Sequence, residues 1–541
     1  MLLREGEFIR SRISSAIRSG ISENLALLLS IIFVLFVAIA VVCLDAYSYL
    51  TSFAIDDALY YPVIARNIAS GGGSSFDNLT ITNGYHPLWC WLNVPFALLV
   101  DNNMTLVWVF KLLVAVVVLC MIFTFACVLR RARINKMTIA IFILLMGGSY
   151  WWSIKVYYSG METPLVTLLI GVSLLVFSQF ERQHNIRYSF LLGLALAGTF
   201  LARLDSIFYV ATFFLYIICK GRQMLRGMLI SGLTFVMVTA PYLLWNKIKF
   251  GGFIPISGVR KTHGDYGDIV RNLNMLRQSV AEDVQKVAEV INIYVLIALL
   301  IVFFLVFFIA RSHRRKQPSP VKQYRMFRIV YIGAVIHFVY NVIFMSGMAV
   351  NWYQYMLYLS IFLCFAVFAS NAFTIRSAKV FRSILFSLTM LGCFLMFIYG
   401  LSKFPRQSKV EIVNAALYAR DNLESRGIFM MFDPGIFRLV SDRKTVAGNG
   451  LIGNRGIMEL AMTNRPELIV QEYNVDYLVV LLSEEELGTI SVKPIYLTRS
   501  FQYANGVCRV GIFDAREYFD KRNTQTGIMK GQGCSITQNR K

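Results

Sequence analysis

The chain has 541 residues, 57% of them hydrophobic and 16% charged, with a mean hydropathy of +0.58, which excludes a water-soluble globular protein of this length. Its 53 basic residues against 31 acidic ones give a net charge of +22, a balance that in a soluble chain would point to nucleic acid. No aromatic-interleaved basic groove or nucleic-acid motif accompanies that charge, so nucleic acid is not an expected partner.

Windows of roughly 20 apolar residues, the length that crosses a bilayer, fall at 25–44, 105–128, 137–156, 164–180, 226–245, 291–310, 327–349, 354–373 and 382–401. Two shorter windows, 188–202 and 206–219, flank the polar ARLDS segment. Basic clusters alternate with the spans: Arg10, Arg12 and Arg18; Arg130, Arg131, Arg133 and Lys136; Lys220, Arg222 and Arg226; Arg311, Arg314, Arg315 and Lys316; Arg376, Lys379 and Arg382. By the positive-inside rule these are cytoplasmic loops. The run from Pro87 to Val100 is short and carries Pro87 and Pro95, and counting it as a span would place the RRARINK stretch outside. It therefore reads as a re-entrant or interfacial helix. About eleven spans result, with the N-terminus inside and the chain external from about residue 402. The first span lacks a small-residue cleavage site and is expected to be retained.

Residues suited to chemistry collect in the external segments. The first, Asp56 to Trp89, runs IDDALYYPVIARNIASGGG into TITNGYHPLW. Its paired carboxylates lead an amphipathic helix with Leu59, Val63, Ile64 and Ile68 on one face, which predicts a helix lying against the bilayer surface. The others are YYSGMETP around Glu162, ARLDS with Arg203 and Asp205, FGGFIPISGVRKTHG with Arg260, Lys261 and His263, and NWYQ with Tyr353. Glu162 and Asp205 stand at helix mouths, where an ionisable group is costly unless it functions or is paired. An ion pair of Arg203 with either acid is the plainer explanation of those residues.

Seven of the nine cysteines lie in or beside apolar spans, where they act as small hydrophobes. Cys508 and Cys534 sit in the external tail and allow one disulfide. HExxH, CxxC, the P-loop and a strand-bound GxGxxG are all missing. From about residue 402 the composition shifts: VEIVNAALYARDNL predicts a helix, and GIFMMFD, DYLVVLL and CRVGIFDA predict strands. The expected fold is thus a polytopic α-helical membrane domain, 1–401, followed by an external α/β domain, 402–541, whose end from about Arg522 is polar.

The ordered set IDDALYYPVIARNIASGGG, TNGYHPLW, SGMETPL, ARLD and FGGFIPISGVRK resembles the bacterial GT-C glycosyltransferases, in particular the arabinofuranosyltransferase-like branch. The resemblance covers the chain to about residue 355 and implies a GT-C fold in a bacterial inner membrane, with site and tail facing the periplasm or exterior. It implies a polyprenyl-phosphate sugar donor and a glycan or glycolipid acceptor of the cell envelope. In such enzymes an acid of the first external loop is the general base; Asp56 is the first choice here because it opens the pattern completed by Tyr60 and Tyr61, with Asp57 beside it. Glu162 would orient the acceptor or assist the base. Arg203, Arg260, Lys261 and His86 are candidates for the donor phosphate, with Tyr60, Tyr61, Asp205, His263 and Tyr353 as further substrate contacts.

A sugar hydroxyl is a poor nucleophile until a carboxylate within hydrogen-bond reach takes its proton as the bond to C1 forms. One direct displacement inverts the anomeric centre. The pattern demands no cofactor, although adjacent carboxylates leave room for a divalent metal. Competing readings are a lipid-glycan flippase or transporter, which predicts internal repeats that this sequence lacks, and an O-antigen ligase or polymerase, which would lean on arginines and a long histidine-bearing loop.

Overall fold

A computed structural model of the chain describes residues 2–149, 153–219, 224–262, 326–345, 351–372, 378–402, 404–503 and 506–522, with scattered positions between 270 and 281; the side chains of 2–21, 351, 371–372, 378–381 and 522 fall outside the description. Among the described residues, seven helices are long and apolar enough to cross a membrane: Ser22–Cys43, Asn103–Arg131, Thr163–Gln183, Leu225–Phe250, Phe327–Phe344, Trp352–Ser370 and Arg382–Ser402. Three shorter apolar helices, Lys136–Gly148, Ile186–Ala202 and Leu204–Ile218, fall on three further expected spans. The remaining one, 291–310, lies outside the described residues. The chain is a polytopic membrane protein.

The basic connectors carry ordinary helix punctuation. Arg130 and Arg131 close one helix in its last turn, where a cation meets the negative end of the dipole. Asn135 opens the next by accepting from Thr138 N–H at 2.9 Å. After Arg182, His184 turns left-handed and Asn185 accepts from Arg187 N–H at 2.9 Å, so two spans reverse direction within a few residues.

Between the first two long spans lie Ala46–Ser52, a 3₁₀ turn Asp56–Leu59, and the helices Tyr60–Ala69 and Pro87–Leu98. The last has 12 residues, about 18 Å at 1.5 Å per residue, which is too short to span. Proline is accommodated at its first turn, while Pro95 inside it leaves a backbone carbonyl without its helical donor. The helix Tyr60–Ala69 does not rest on the bilayer surface as its periodicity predicts. Leu59, Val63 and Ile64 are buried against protein, and so are Tyr60, Tyr61, Ala65 and Asn67 on other faces. Protein above and beside the helix has replaced lipid as the apolar partner.

The C-terminal region forms a sheet of β1 (Phe429–Met431), β2 (Thr445–Ala447), β3 (Tyr477–Ser483), β4 (Tyr496–Leu497), β5 (Phe501–Tyr503) and β6 (Gly506–Asp514), in the order β2-β1-β3-β6-β4 with β5 beside β6. The first three strands are parallel, with Phe429 aligned to both Thr445 and Tyr477, and β6 runs antiparallel to β3. Met430, Val446, Leu478 and Phe513 form a core on one face. Phe429, Met431, Val479 and Ile512 belong to a core that continues without a break into the membrane helices. Cys508 on β6 is disulfide-bonded, while Cys534 lies outside the described residues.

Candidate active site

The SGMETP turn is held by three hydrogen bonds from first-loop elements. Ile55 N–H donates to Ser159 O at 3.1 Å, the Tyr49 hydroxyl to Tyr158 O at 3.0 Å and the Trp89 indole to Gly160 O at 3.0 Å. Gly160 has φ of +91°, and a Cβ there would sit 2.7 Å from the Phe110 ring and 3.0 Å from Ala58, so only glycine fits. This turn delivers Glu162 fully buried at the head of a span.

A buried carboxylate requires matched partners. Glu162 accepts from the Tyr61 hydroxyl at 2.5 Å and from Arg203 Nη1, with His86 Nε2 at 3.5 Å. Burial alone would raise its pKa, but His86, Arg203 and Tyr61 together hold the carboxyl below its ordinary value. Arg203, itself 1% exposed, also forks onto Asp205 through Nε at 3.0 Å and Nη2 at 2.6 Å. His337 Nε2 lies 3.3 Å from the same Asp205 carboxylate, and the Tyr355 hydroxyl donates to it at 3.4 Å. Two acids therefore occupy the guanidinium of Arg203. The Tyr353 and Tyr355 rings lie 5.4 and 5.0 Å from its centre.

These groups form part of the wall of a half-open cavity. The first external loop contributes Asp57, Tyr60, Tyr61 and His86, and the later segments contribute Glu162, Arg203, Lys261 and Tyr353. The FGGFIPISGVRK segment reaches the cavity because Asn83 grips it: Asn83 Oδ1 accepts from Ile256 N–H at 3.1 Å. Its Nδ2 donates to Asn246 Oδ1 at 3.1 Å, and Asn246 donates on to Phe253 O at 3.2 Å. Lys261 Nζ then lies 5.0 Å from the centre of the Tyr353 ring. Burial acts to lower the lysine pKa, but Tyr353 and Asp57 raise it further, so Lys261 is a cation. Burial raises the Asp57 carboxyl, with Lys261 opposing and Glu162 adding to the rise. Burial pushes the His86 imidazole down to about 4, so it is neutral near pH 7.

Asp56 stands elsewhere. Its Oδ2 accepts from Gly435 N–H at 2.7 Å and its Oδ1 from Ile436 N–H at 2.8 Å, so the carboxylate fastens the first loop to the C-terminal region. Around it Lys409 donates to Ala54 O, Asn103 Nδ2 to Leu439 O at 2.9 Å, and Arg438 Nε to Phe76 O at 3.2 Å. Arg260 serves the same junction, donating through Nε to Asn449 O at 3.1 Å. Leu451 of the C-terminal region closes over the cavity, at a point where a Cβ on Gly84 would be 2.2 Å from its carbonyl. Asp205 is reached through Arg203, and His263 lies outside the described residues. Among the described residues no group of three or more His, Cys, Asp or Glu side chains is placed to hold a metal ion, so Asp56 and Asp57 are not joined by a third ligand.

Sequence reasoning passed over His337, Trp352, Tyr355, Lys409 and Asp433. His337 was open to discovery, because a lone ionisable residue inside a span signals a buried partner. Asp433 closes the GIFMMFD run, which read only as a strand; the acids that act on its carboxyl, Asp56 and Asp57, belong to the first external loop, far away in the chain.

No family model matches the sequence, and no curated protein matches it. Solved structures share its fold, among them two of one protein. ArnT from Cupriavidus metallidurans bound to undecaprenyl phosphate superposes with a TM-score of 0.53 at 12% identity, covering 89% of this chain and 97% of that one. The same protein in the apo state gives 0.53 at 13% identity, covering 90% and 98%. At this identity the likeness is one of fold: the membrane helices and the C-terminal region together follow the architecture of these structures.

Proposed function

We propose that the chain is a glycosyltransferase that moves a sugar from a polyprenyl-phosphate donor to a glycan or glycolipid of the bacterial cell envelope, at the external face of the inner membrane. The observation that carries this reading is a carboxylate, Asp57, facing a cation, Lys261, across a cavity roofed by the C-terminal region. The fold is shared with a protein crystallised with undecaprenyl phosphate, and the placement of the basic connectors supports the side of the membrane proposed.

In this reading Asp57 is the base, and Asp56 is the residue that docks the C-terminal region. As the acceptor oxygen bonds to C1, its proton passes to the Asp57 carboxylate and the bond from C1 to the phosphate oxygen breaks. The lipid phosphate leaves with its negative charge beside Lys261. A single displacement of this kind inverts the anomeric centre. Glu162 and Arg203 fix each other and the Tyr61 hydroxyl, shaping the wall against which the sugar sits. The pairing of Arg203 with two carboxylates supports a positioning role for it, and Arg260 adds positive field from the domain junction.

Purified protein incubated with a polyprenyl-phosphate sugar and an acceptor glycan tests the reading. Transfer accompanied by release of free lipid phosphate is expected. Movement of the intact lipid across the bilayer would instead identify a flippase, and transfer only when a diphosphate-linked lipid glycan replaces this donor, with release of lipid diphosphate, would identify a ligase or polymerase.

A further inference from the structure

Among the described residues that line the cavity, three buried side-chain polar atoms lack a hydrogen bond: the Tyr60 hydroxyl, which lies on the Asp57 side, and His86 Nδ1 and Trp352 Nε1. Buried polar groups are nearly always paired, so unpaired atoms on residues that line one cavity bear on what that cavity receives.

The chemistry of His86 and Trp352 is asymmetric. His86 Nε2 faces the Glu162 carboxylate at 3.5 Å, so that nitrogen carries the proton and Nδ1 is left with a lone pair. The imidazole is neutral, held at about 4 by burial. An indole nitrogen can only donate. The missing partner must therefore donate to one atom and accept from the other. An ionised phosphate oxygen has no proton to offer Nδ1 and would be repelled by its lone pair. A hydroxyl donates and accepts at once, and neighbouring hydroxyls on a ring can satisfy both atoms. The Trp352 and Tyr353 rings, with centroids 6.0 Å apart, stand side by side in the cavity wall.

We infer that His86 and Trp352 form a subsite that reads the hydroxyls of a sugar ring, with His86 Nδ1 as acceptor and Trp352 Nε1 as donor. Phosphate is thereby left to Lys261. The inference rests on the glycosyl-transfer reading and assigns part of its specificity.

The test measures equilibrium binding and kinetics of the full-length protein in lipid nanodiscs, with decaprenyl phosphate and with decaprenyl-phosphate-linked glucose, mannose and arabinose as probes. His86→Gln keeps an N–H toward Glu162 and loses the acceptor at Nδ1, His86→Asn keeps an acceptor near Nδ1, and Trp352→Phe keeps the ring and loses the donor. Binding of the preferred sugar-linked lipid about ten-fold or more weaker in His86→Gln and Trp352→Phe, with bare decaprenyl phosphate bound as in wild type and His86→Asn less affected, supports a donor hydroxyl. Unchanged donor binding with a raised acceptor KM at constant kcat supports a hydroxyl of the acceptor. Equal weakening of bare and sugar-linked lipid, or no change in either parameter, overturns the subsite. If wild-type protein binds none of the four probes and transfers no sugar, the glycosyl-transfer reading itself falls.

Discussion

Asp56 and Asp57 share one turn of 3₁₀ helix, yet they belong to two regions of different character. At the junction with the C-terminal region, Asp56 receives two backbone N–H groups and is surrounded by bonds already made. In the cavity, Asp57 faces a lysine, a neutral histidine and open volume. A carboxylate held by two backbone amides serves structure, whereas one beside a cation and a tyrosine hydroxyl, with no amide upon it among the described residues, keeps lone pairs that can accept a proton. Adjacency in sequence thus says nothing about shared duty when successive side chains leave a turn in different directions.

The largest expected effect separates the two acids. Asp57→Asn should lower turnover by about 10²- to 10⁴-fold, the range for removal of a general base, with an unchanged melting temperature. Asp56→Asn should lower the melting temperature and leave measurable turnover. If Asp56→Asn is dead and fully stable while Asp57→Asn turns over normally, the assignment of the two regions is reversed.

Arg203→Ala comes next. It strands Glu162 and Asp205 as uncompensated buried charges, for which a loss of about 3–5 kcal/mol is typical. Thermal unfolding should show it as a large drop in midpoint. A variant that melts like wild type and only raises the donor KM would move Arg203 from the wall to the phosphate. For Lys261→Ala the opposite balance is expected: a donor KM higher by about 10- to 100-fold, matching about 1.5–3 kcal/mol for a charged hydrogen bond, with little change in stability. Kinetics against decaprenyl-phosphate sugar would decide it, and an unchanged KM would remove Lys261 from the donor site.

The membrane helices were legible because burial in lipid imposes a long apolar signal that no tertiary contact needs to supply. The strands around Phe429, Tyr477 and Gly506 were equally plain as short apolar runs. The loop acids were visible as candidates, but that Asp56 is bound by backbone N–H groups depends on Gly435 and Ile436, some 380 residues away. The Tyr60–Ala69 helix shows the same limit: its apolar face was read correctly and its partner was not, since periodicity reports that a face is covered and never by what. His86 looked like a phosphate ligand by residue type, and only its burial beside Glu162 shows it to be neutral.

Gly435→Ala probes the junction without touching charge. The added Cβ would lie 2.1 Å from the Asp56 carbonyl oxygen, so the helix start must move away from the first loop. Overpacking of this kind costs about 1–3 kcal/mol, expected as a lower unfolding midpoint together with reduced turnover, because the C-terminal roof shifts with it. Wild-type stability would show that the junction yields freely and that Asp56 contributes little to it.

The smallest effect is a pH dependence at the same junction. Burial, with Asp56 and Asp57 adding to it, pushes the Asp433 carboxyl up to about 7, although Asn449 Nδ2 donates to it at 2.9 Å; burial likewise pushes Asp56 up to about 6. An acid whose folded pKa lies above its ordinary value of 3.8 binds its proton more tightly when folded. Its stabilisation is complete below about pH 4 and is lost as the pH rises toward 7. Asp433→Asn removes that proton while keeping an acceptor for Asn449. His86 and Lys409, both lowered by burial, titrate in the opposite sense, but they contribute to both proteins and largely cancel in the difference. The melting temperature of Asp433→Asn minus that of wild type should therefore rise steadily from pH 4 to pH 7. A difference that is flat across that interval would mean that Asp433 is ionised throughout, and that the acids at the junction do not repel one another.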